Sequence, residues 1–370
     1  MRTDAPTGGT AEPLVADQSP HSPDSSDSSD SPHSPGPADR PDRLDRPDRL
    51  DLQIVNALQI EPRASWAKVG AVLGVDAVTV SRRWNRLRAA GLAWVTAYEP
   101  GPGSGRMAIV EVECAGNPLE VAEALVHDPE CRTLDIASGG RDLLIGVGAA
   151  DEVALADYLL TRLGSRPQIG AVRTQLITSF VRESGDWRLG ELSPDRSERF
   201  TGHVSREPAV PAALSEPERA VLAALHEDGR MPATEIAART GLAVRRARET
   251  VQRLLFEQRV VLWTDVARGR SGRSVQAWFF LRVPARRLAG VTARLARLEE
   301  ARLVVSVVGT YNLAVCVWTR ELADVTRLEA RIEDGLEGVR IADRCVTLRT
   351  VKRAGVLLDA QGRRTGRGPG

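Results

Sequence analysis

A pattern of apolar and charged residues near the start of the chain returns, without a gap, 167 residues later. Ile54, Leu58, Arg63, Val69, Gly74, Trp84 and Leu87 are matched in turn by Val221, Leu225, Arg230, Ile236, Gly241, Val251 and Leu254. A register held over so many positions marks an internal repeat, so the chain must build one kind of structural unit twice. At 370 residues it is long enough for both copies to have their own cores.

The repeated stretch reads as a helix-turn-helix. In GVDAVTVSRRWNRLRAAG, residues 74–91, Val80, Trp84 and Leu87 recur at i, i+4 and i+7 and lie on one buried stripe. Val78, Arg82, Asn85 and Arg86 then project from the opposite side, where no core holds them. Ser65 caps the preceding helix and Gly74 stops it, and the amphipathic segment Asp51 to Gln59 completes a trihelical core. In the second copy, Ser215 and Glu218 form a capping box, and the helix Ala243 to Gln258 turns Ala247, Val251 and Leu254 inward. Leu92 to Tyr98 follows the first copy at once, where a wing strand belongs. Arginines displayed on such a helix suit a DNA groove. The expected contacts are Val78, Thr79, Ser81, Arg82, Arg83 and Arg86 in copy one, and Arg245, Arg246, Arg248 and Arg253 in copy two. Arg82 is placed for a guanine edge and Val78 for a thymine methyl, with Arg83, Arg86 and Arg88 on phosphates. Glu249 stands where Arg82 stood, so the second copy is expected to read a different half-site or to serve assembly only.

Between and after these heads, periodicity alternates between strand and helix. Met107 to Cys114 alternates, Asn117 and Pro118 start a helix, and strands at Arg132 to Ala137 and Leu143 to Val147 precede a helix at Asp151 to Leu163 and a strand at Ala171 to Val181. The same βαββαβ order runs from Val275 to Val351. The predicted fold class is α+β: two winged helix-turn-helix domains alternating with two βαββαβ ferredoxin-like domains. The expected boundaries are a disordered acidic arm (1–47), winged helix-turn-helix 1 (48–100), ferredoxin-like domain 1 (105–195), a linker (196–213), winged helix-turn-helix 2 (214–268), ferredoxin-like domain 2 (273–352) and a disordered tail (353–370).

These residues together resemble the Lrp/AsnC family of transcription regulators, over about Asp48 to Lys352 and in tandem. The family's opening Asp-x-x-Ile-Leu pattern is matched by Asp51, Ile54 and Val55, and by Glu218, Val221 and Leu222. Its Gly-x-Tyr-Asp-Leu hairpin is matched by Gly309 to Leu313 and, with Arg141 in the aromatic place, by Gly139 to Leu143. Gly338, Val339 and Arg340 match its closing Gly-Val-Arg. The resemblance implies an amino acid or related metabolite as effector, at Gly139, Asp142, Gly309, Tyr311 and Asn312, and pairing through the βαββαβ units. That pairing is expected either between chains, as a homo-oligomer, or within one chain as a pseudo-dimer with two unlike half-sites.

Composition narrows the rest. The formal charge of +1 hides an acidic first segment, net −5 over residues 1–50, and a mildly basic remainder. Cys114, Cys131, Cys316 and Cys345 show no paired spacing, so no disulfide framework, metal site or cofactor is expected. No signal peptide or membrane span is read, and the expected location is cytoplasmic, with double-stranded DNA as partner and no membrane. The alternatives are a ligand-sensing or assembly protein without DNA binding, and an enzyme like the sirohaem decarboxylases, which share a tandem architecture. Of the five histidines, only His127 falls inside a βαββαβ unit.

Overall fold

Each repeat opens with three short helices whose ends are written in the local sequence. The protein is described by a computed structural model over residues 47–99, 105–200 and 214–367. Helix α1 (Arg49–Ile60) starts at a capping box between Asp48 and Asp51. Helix α2 (Trp66–Leu73) is capped by Ser65 and stopped by Gly74, whose φ of 77° is left-handed. Helix α3 (Ala77–Ala89) is capped by Asp76 and buries Val80, Trp84 and Leu87, the stripe expected from its spacing. Strand β1 (Ala93–Tyr98) follows.

The first βαββαβ unit comprises β2 (Arg106–Cys114), α4 (Pro118–Leu125), β3 (Cys131–Ala137), β4 (Leu143–Ala149), α5 (Glu152–Asp157, continuing as a π-helical turn over Tyr158–Leu163) and β5 (Ile169–Arg182). After the short α6 (Pro194–Ser197), the second copy repeats the plan. Its three helices are α7 (Glu216–Glu227), α8 (Ala233–Thr240) and α9 (Val244–Phe256), followed by β6 (Val261–Val266). Its βαββαβ unit is β7 (Val275–Arg282), α10 (Leu288–Leu295), β8 (Ala301–Val308), β9 (Leu313–Thr319), α11 (Leu322–Gly335) and β10 (Arg340–Arg353).

The two units pair within one chain. Their strands join in the order β3-β4-β2-β5-β8-β9-β7, and β10 pairs both β7 and β3, closing the ring. All these pairings are antiparallel, and the seams are β5 on β8 and β10 on β3. Helices cover the outer faces over two separate apolar cores, one around Val110, Leu125 and Ile145, the other around Phe279, Leu295 and Val315. The inner faces enclose a third core with Ile109, Leu144, Trp278, Phe280 and Val305.

Reciprocal cations lock the units together. Arg182 donates to the carbonyls of Ala296 and Leu298 at 2.9 and 2.7 Å, past the end of α10. Lys352, fully buried, donates to Val126 and Asp128 at 2.9 and 3.3 Å, past the end of α4. Each closing strand thus brings a positive charge to carbonyls just past the C-terminus of the other unit's helix, where the helix dipole favours one.

The structure corrects two expected boundaries. The tail from Arg353 is not disordered over its described part: it forms β11 (Val356–Leu358) and β12 (Arg364–Arg367), paired with each other and with β10. Val356 and Leu358 bury against Trp94, and the Arg364 amide donates to the Gly91 carbonyl at 2.8 Å. The one apolar run here, Val356 to Leu358, is only three residues long and set among glycines and arginines, which masked it. Residues 183–200 belong neither to the first βαββαβ unit nor to a free linker. Trp187, Leu189, Leu192 and Phe200 bury in the helix-turn-helix core, while the Leu189, Glu191 and Leu192 amides donate to Gln59 and Asn56 of α1. Residues 1–46 of the expected acidic arm (1–47) and the rest of the linker, 201–213, lie outside the described residues.

Candidate nucleic-acid interface

The two heads form one body rather than two separate domains. The strand expected as a wing, β1, pairs instead with β6 of the other copy, from Ala93↔Val266 to Tyr98↔Val261. A single apolar cluster runs through both heads, including Ile54, Leu58 and Trp84 with Val221, Leu225 and Leu254. Arg63 and Arg230, repeat equivalents, then clamp the pair symmetrically. Arg63 donates to the carbonyls of Gly229 and Met231 at 2.6 and 3.1 Å, and Arg230 to those of Pro62 and Ala64 at 2.5 and 2.9 Å. Arg230 also stacks 3.9 Å over the Trp66 ring. Burial first, and then the nearby Arg63, pull its pKa down to about 10.

Within each head, an acid in the first helix holds arginines of the recognition helix. Fully buried Asp51 accepts from Arg83 at 3.0 Å and from Arg86. Arg83 also reaches Asp48 at 2.6 Å. In the second copy Glu218 accepts from Arg253 at 2.8 Å and Arg259 at 2.9 Å. This explains why the repeated opening pattern begins with an acid at 51 and 218. It also corrects two expected phosphate contacts, Arg83 and Arg86, which are committed to a carboxylate that would otherwise be buried and unpaired, and it draws Arg253, expected at the DNA, into the pair with Glu218. Arg88 likewise binds Asp228 of the other head. Thr79 is committed to the helix cap, its amide and hydroxyl donating to Asp76 at 2.7 and 2.6 Å.

What α3 leaves outward is Val78, 75% exposed, with Ser81, Arg82 and Asn85 beside it. Together with Ala77 and Trp66 they line a shallow groove of about 590 Å³. On α9 the exposed residues are Arg245, Arg246, Arg248, Glu249, Gln252 and Arg253. Arg245 and Glu249 pair with each other at 2.8 Å.

The expected effector residues sit at the hairpins where the two βαββαβ units meet, but two of them have structural work. Asp142 accepts from the Cys114 amide at 2.7 Å, and Asn312 accepts from the Val283 amide at 2.9 Å and donates back to its carbonyl at 2.7 Å. Both tie their hairpin to the end of the unit's first strand. Gly139, at φ 91°, faces the backbone of Arg344, and Gly309 lies so close to Gln175 that a Cβ there would fall 2.1 Å from its Oε1. Tyr311 donates to Asp343 at 3.1 Å and lies against Phe280. Its repeat counterpart Arg141, almost wholly buried, joins the same Asp343 and Glu111, and stacks over Phe280. The sequence reading missed this ionic cluster. Its one signal was an arginine in an aromatic's place.

Among the described residues, no helix is long and apolar enough to cross a membrane, and no cluster of side chains is arranged to hold a metal ion. The four cysteines are free, three of them buried.

Comparison with known proteins agrees with this geometry. The AsnC-type helix-turn-helix domain matches residues 48–88, and a winged helix-turn-helix DNA-binding domain matches 214–255. An uncharacterised HTH-type transcriptional regulator of Pyrococcus furiosus is 31% identical over 134 residues, spanning 35% of this chain and 90% of that protein. The HTH-type transcriptional regulator FL11 of Pyrococcus abyssi is 26% identical over 141 residues, 38% of this chain and 93% of its own length. In overall fold the chain is similar to the siroheme decarboxylase NirDL, with a TM-score of 0.56 at 14% identity over 83% of this chain and 93% of that one. Relatives of the first kind correspond to one copy each. The chain belongs to the Lrp/AsnC family of HTH-type transcriptional regulators, with two copies of the family's architecture fused in one polypeptide.

Proposed function

We propose that the chain is a sequence-specific DNA-binding transcriptional regulator whose two heads act as a pseudo-dimer on one operator. The observation that carries this reading is the outward face of α3. Val78, Arg82 and Asn85 stand free on a helix whose other arginines are withdrawn into ion pairs, so the face keeps apolar, guanidinium and amide groups for base edges. Arg82 is the residue assigned to a guanine. An amino acid or related metabolite acts as effector in this proposal, at the hairpins bearing Gly139, Gly309 and Tyr311.

The test is binding of the purified full chain to genomic fragments under salt titration, with Arg82→Ala as control. Selective binding that falls about tenfold or more on that substitution is expected. The same preparation is scanned for visible absorption, because the fold is shared with siroheme decarboxylase NirDL. A bound tetrapyrrole without DNA selectivity at any salt would overturn the regulator reading.

A further inference from the structure

The two recognition helices occupy equivalent places yet offer opposite chemistry. At about 100° per residue, positions i, i+4 and i+7 of the outward face form its central line, and positions i+1 and i+3 flank that line by roughly 80° on either side. On α3 the central line is Val78, Arg82 and Asn85, and the flanks are Thr79 and Ser81, the first already spent on the cap. On α9 the central line is Arg245, Glu249 and Gln252, and the flanks are Arg246 and Arg248.

The centre of a helix seated in the major groove meets the groove floor, and its flanks meet the phosphate walls. Head one therefore brings base-reading groups to the floor, while the arginines on its flanks, Arg86 and Arg88, are held in ion pairs with Asp51 and Asp228 and leave the small Thr79 and Ser81 beside them. Head two leaves only the Gln252 amide unpaired on its central line and brings free cations to the walls. Its central Arg245 and Glu249 neutralise each other at 2.8 Å. The Arg245 guanidinium, which forms that hydrogen bond, holds the Glu249 carboxyl below its ordinary value, keeping it an anion. The exposed guanidiniums of Arg246 and Arg248, in no ion pair among the described residues, stand toward the walls. Trp66, which borders the floor-facing groove of head one, has only Ala233 as its counterpart.

We infer that the chain reads sequence with its first head and anchors on the phosphate backbone with its second, so that its operator has one specified block and one flank protected without a specified sequence. The inference rests on the DNA-binding reading above. It goes further by dividing the labour between the heads. Because β1 is paired to β6 and Arg63 and Arg230 clamp the heads reciprocally, reader and anchor keep a fixed orientation, and the complex has a direction on DNA.

Selection of the full-length protein against a random duplex library, with footprinting of the enriched sequences, tests this directly. The wild type is expected to enrich one block of specified positions while protecting a second region of comparable length that has no consensus. Arg82→Ala should relax the preference at one position of the block by about tenfold. The double substitution Arg246→Ala with Arg248→Ala should leave the enriched block unchanged, weaken binding alike on all sequences, and lower the slope of log affinity against log salt by about two. A second block of two or more specified positions, or a changed consensus in the double variant, would overturn the division of labour while leaving the regulator standing. Absence of binding to any duplex at any salt would overturn both. The substituted arginines are all exposed on helices whose apolar stripes are untouched, so far-ultraviolet circular dichroism should match the wild type.

Discussion

The side chains that matter most to this molecule are those that a helical wheel assigns wrongly. Arg83 and Arg86 lie at the border of the outward face of α3, and periodicity alone treats them as surface cations; the buried carboxylate of Asp51 makes them structural. Glu218 plays the same part in the second head. Burial works to raise its carboxyl, but the donors of Ser215 and the guanidinium of Arg259 outweigh it and hold the pKa at about 2. Since this lies below the ordinary value of 4.5, the stabilisation it brings is full above about pH 4.5 and is lost as pH falls toward 2. Glu218→Gln should therefore flatten the acid limb of the stability curve across that window, as read by urea midpoints at successive pH values. Arg230→Ala removes two charge-assisted bonds to carbonyls and a stacked cation, and should cost about 2–4 kcal/mol in urea unfolding. Gly309→Ala would bring a methyl against both Gln175 and the Thr174 carbonyl, and a loss of about 1–3 kcal/mol is expected from the same measurement.

At the scale of elements, the strap formed by β11 and β12 ties the second βαββαβ unit to the first head. It does so at Gly91, whose φ of 66° and whose approach to the Arg364 backbone both exclude a side chain: a Cβ there would lie 2.4 Å from the Arg364 carbonyl oxygen. Ending the chain at Arg353 uncovers Trp94 and removes the burial of Val356 and Leu358, so a red-shifted tryptophan emission and a loss of about 2–5 kcal/mol are expected. An unchanged emission would show that the strap does not cover Trp94 in solution. The same scale shows what was legible in the sequence. Caps, alternation and helical stripes are local, and they located the three-helix heads and the βαββαβ order; Ser65, Gly74, Asn117, Ser215 and Glu218 stand where their chemistry placed them. Partners across more than a hundred residues were not legible. Nothing near Leu92 to Tyr98 announces that its pairing strand is Val261 to Val266. The exchange of Asp142 for Asn312 in the second hairpin was a usable clue: both keep the one acceptor oxygen that a backbone amide needs, which points to a tie within the fold rather than to a ligand.

At the scale of the molecule, pairing has been internalised twice, once in the heads and once in the closed ring of strands. The apolar cluster shared by both heads leaves no plane along which one could unfold and spare the other. Their loss is expected in a single transition, with tryptophan emission and far-ultraviolet circular dichroism giving one urea midpoint. Two separated midpoints would mean that the strand pairing and arginine clamps are weaker than the geometry implies. Fusion also changes what a single base change in the gene does. In a dimer of identical subunits every substitution is made twice and strikes both halves of a symmetric target at once. Here Arg82 and Glu249 descend separately, so one head can acquire a new target while the other continues to hold the old position on the helix.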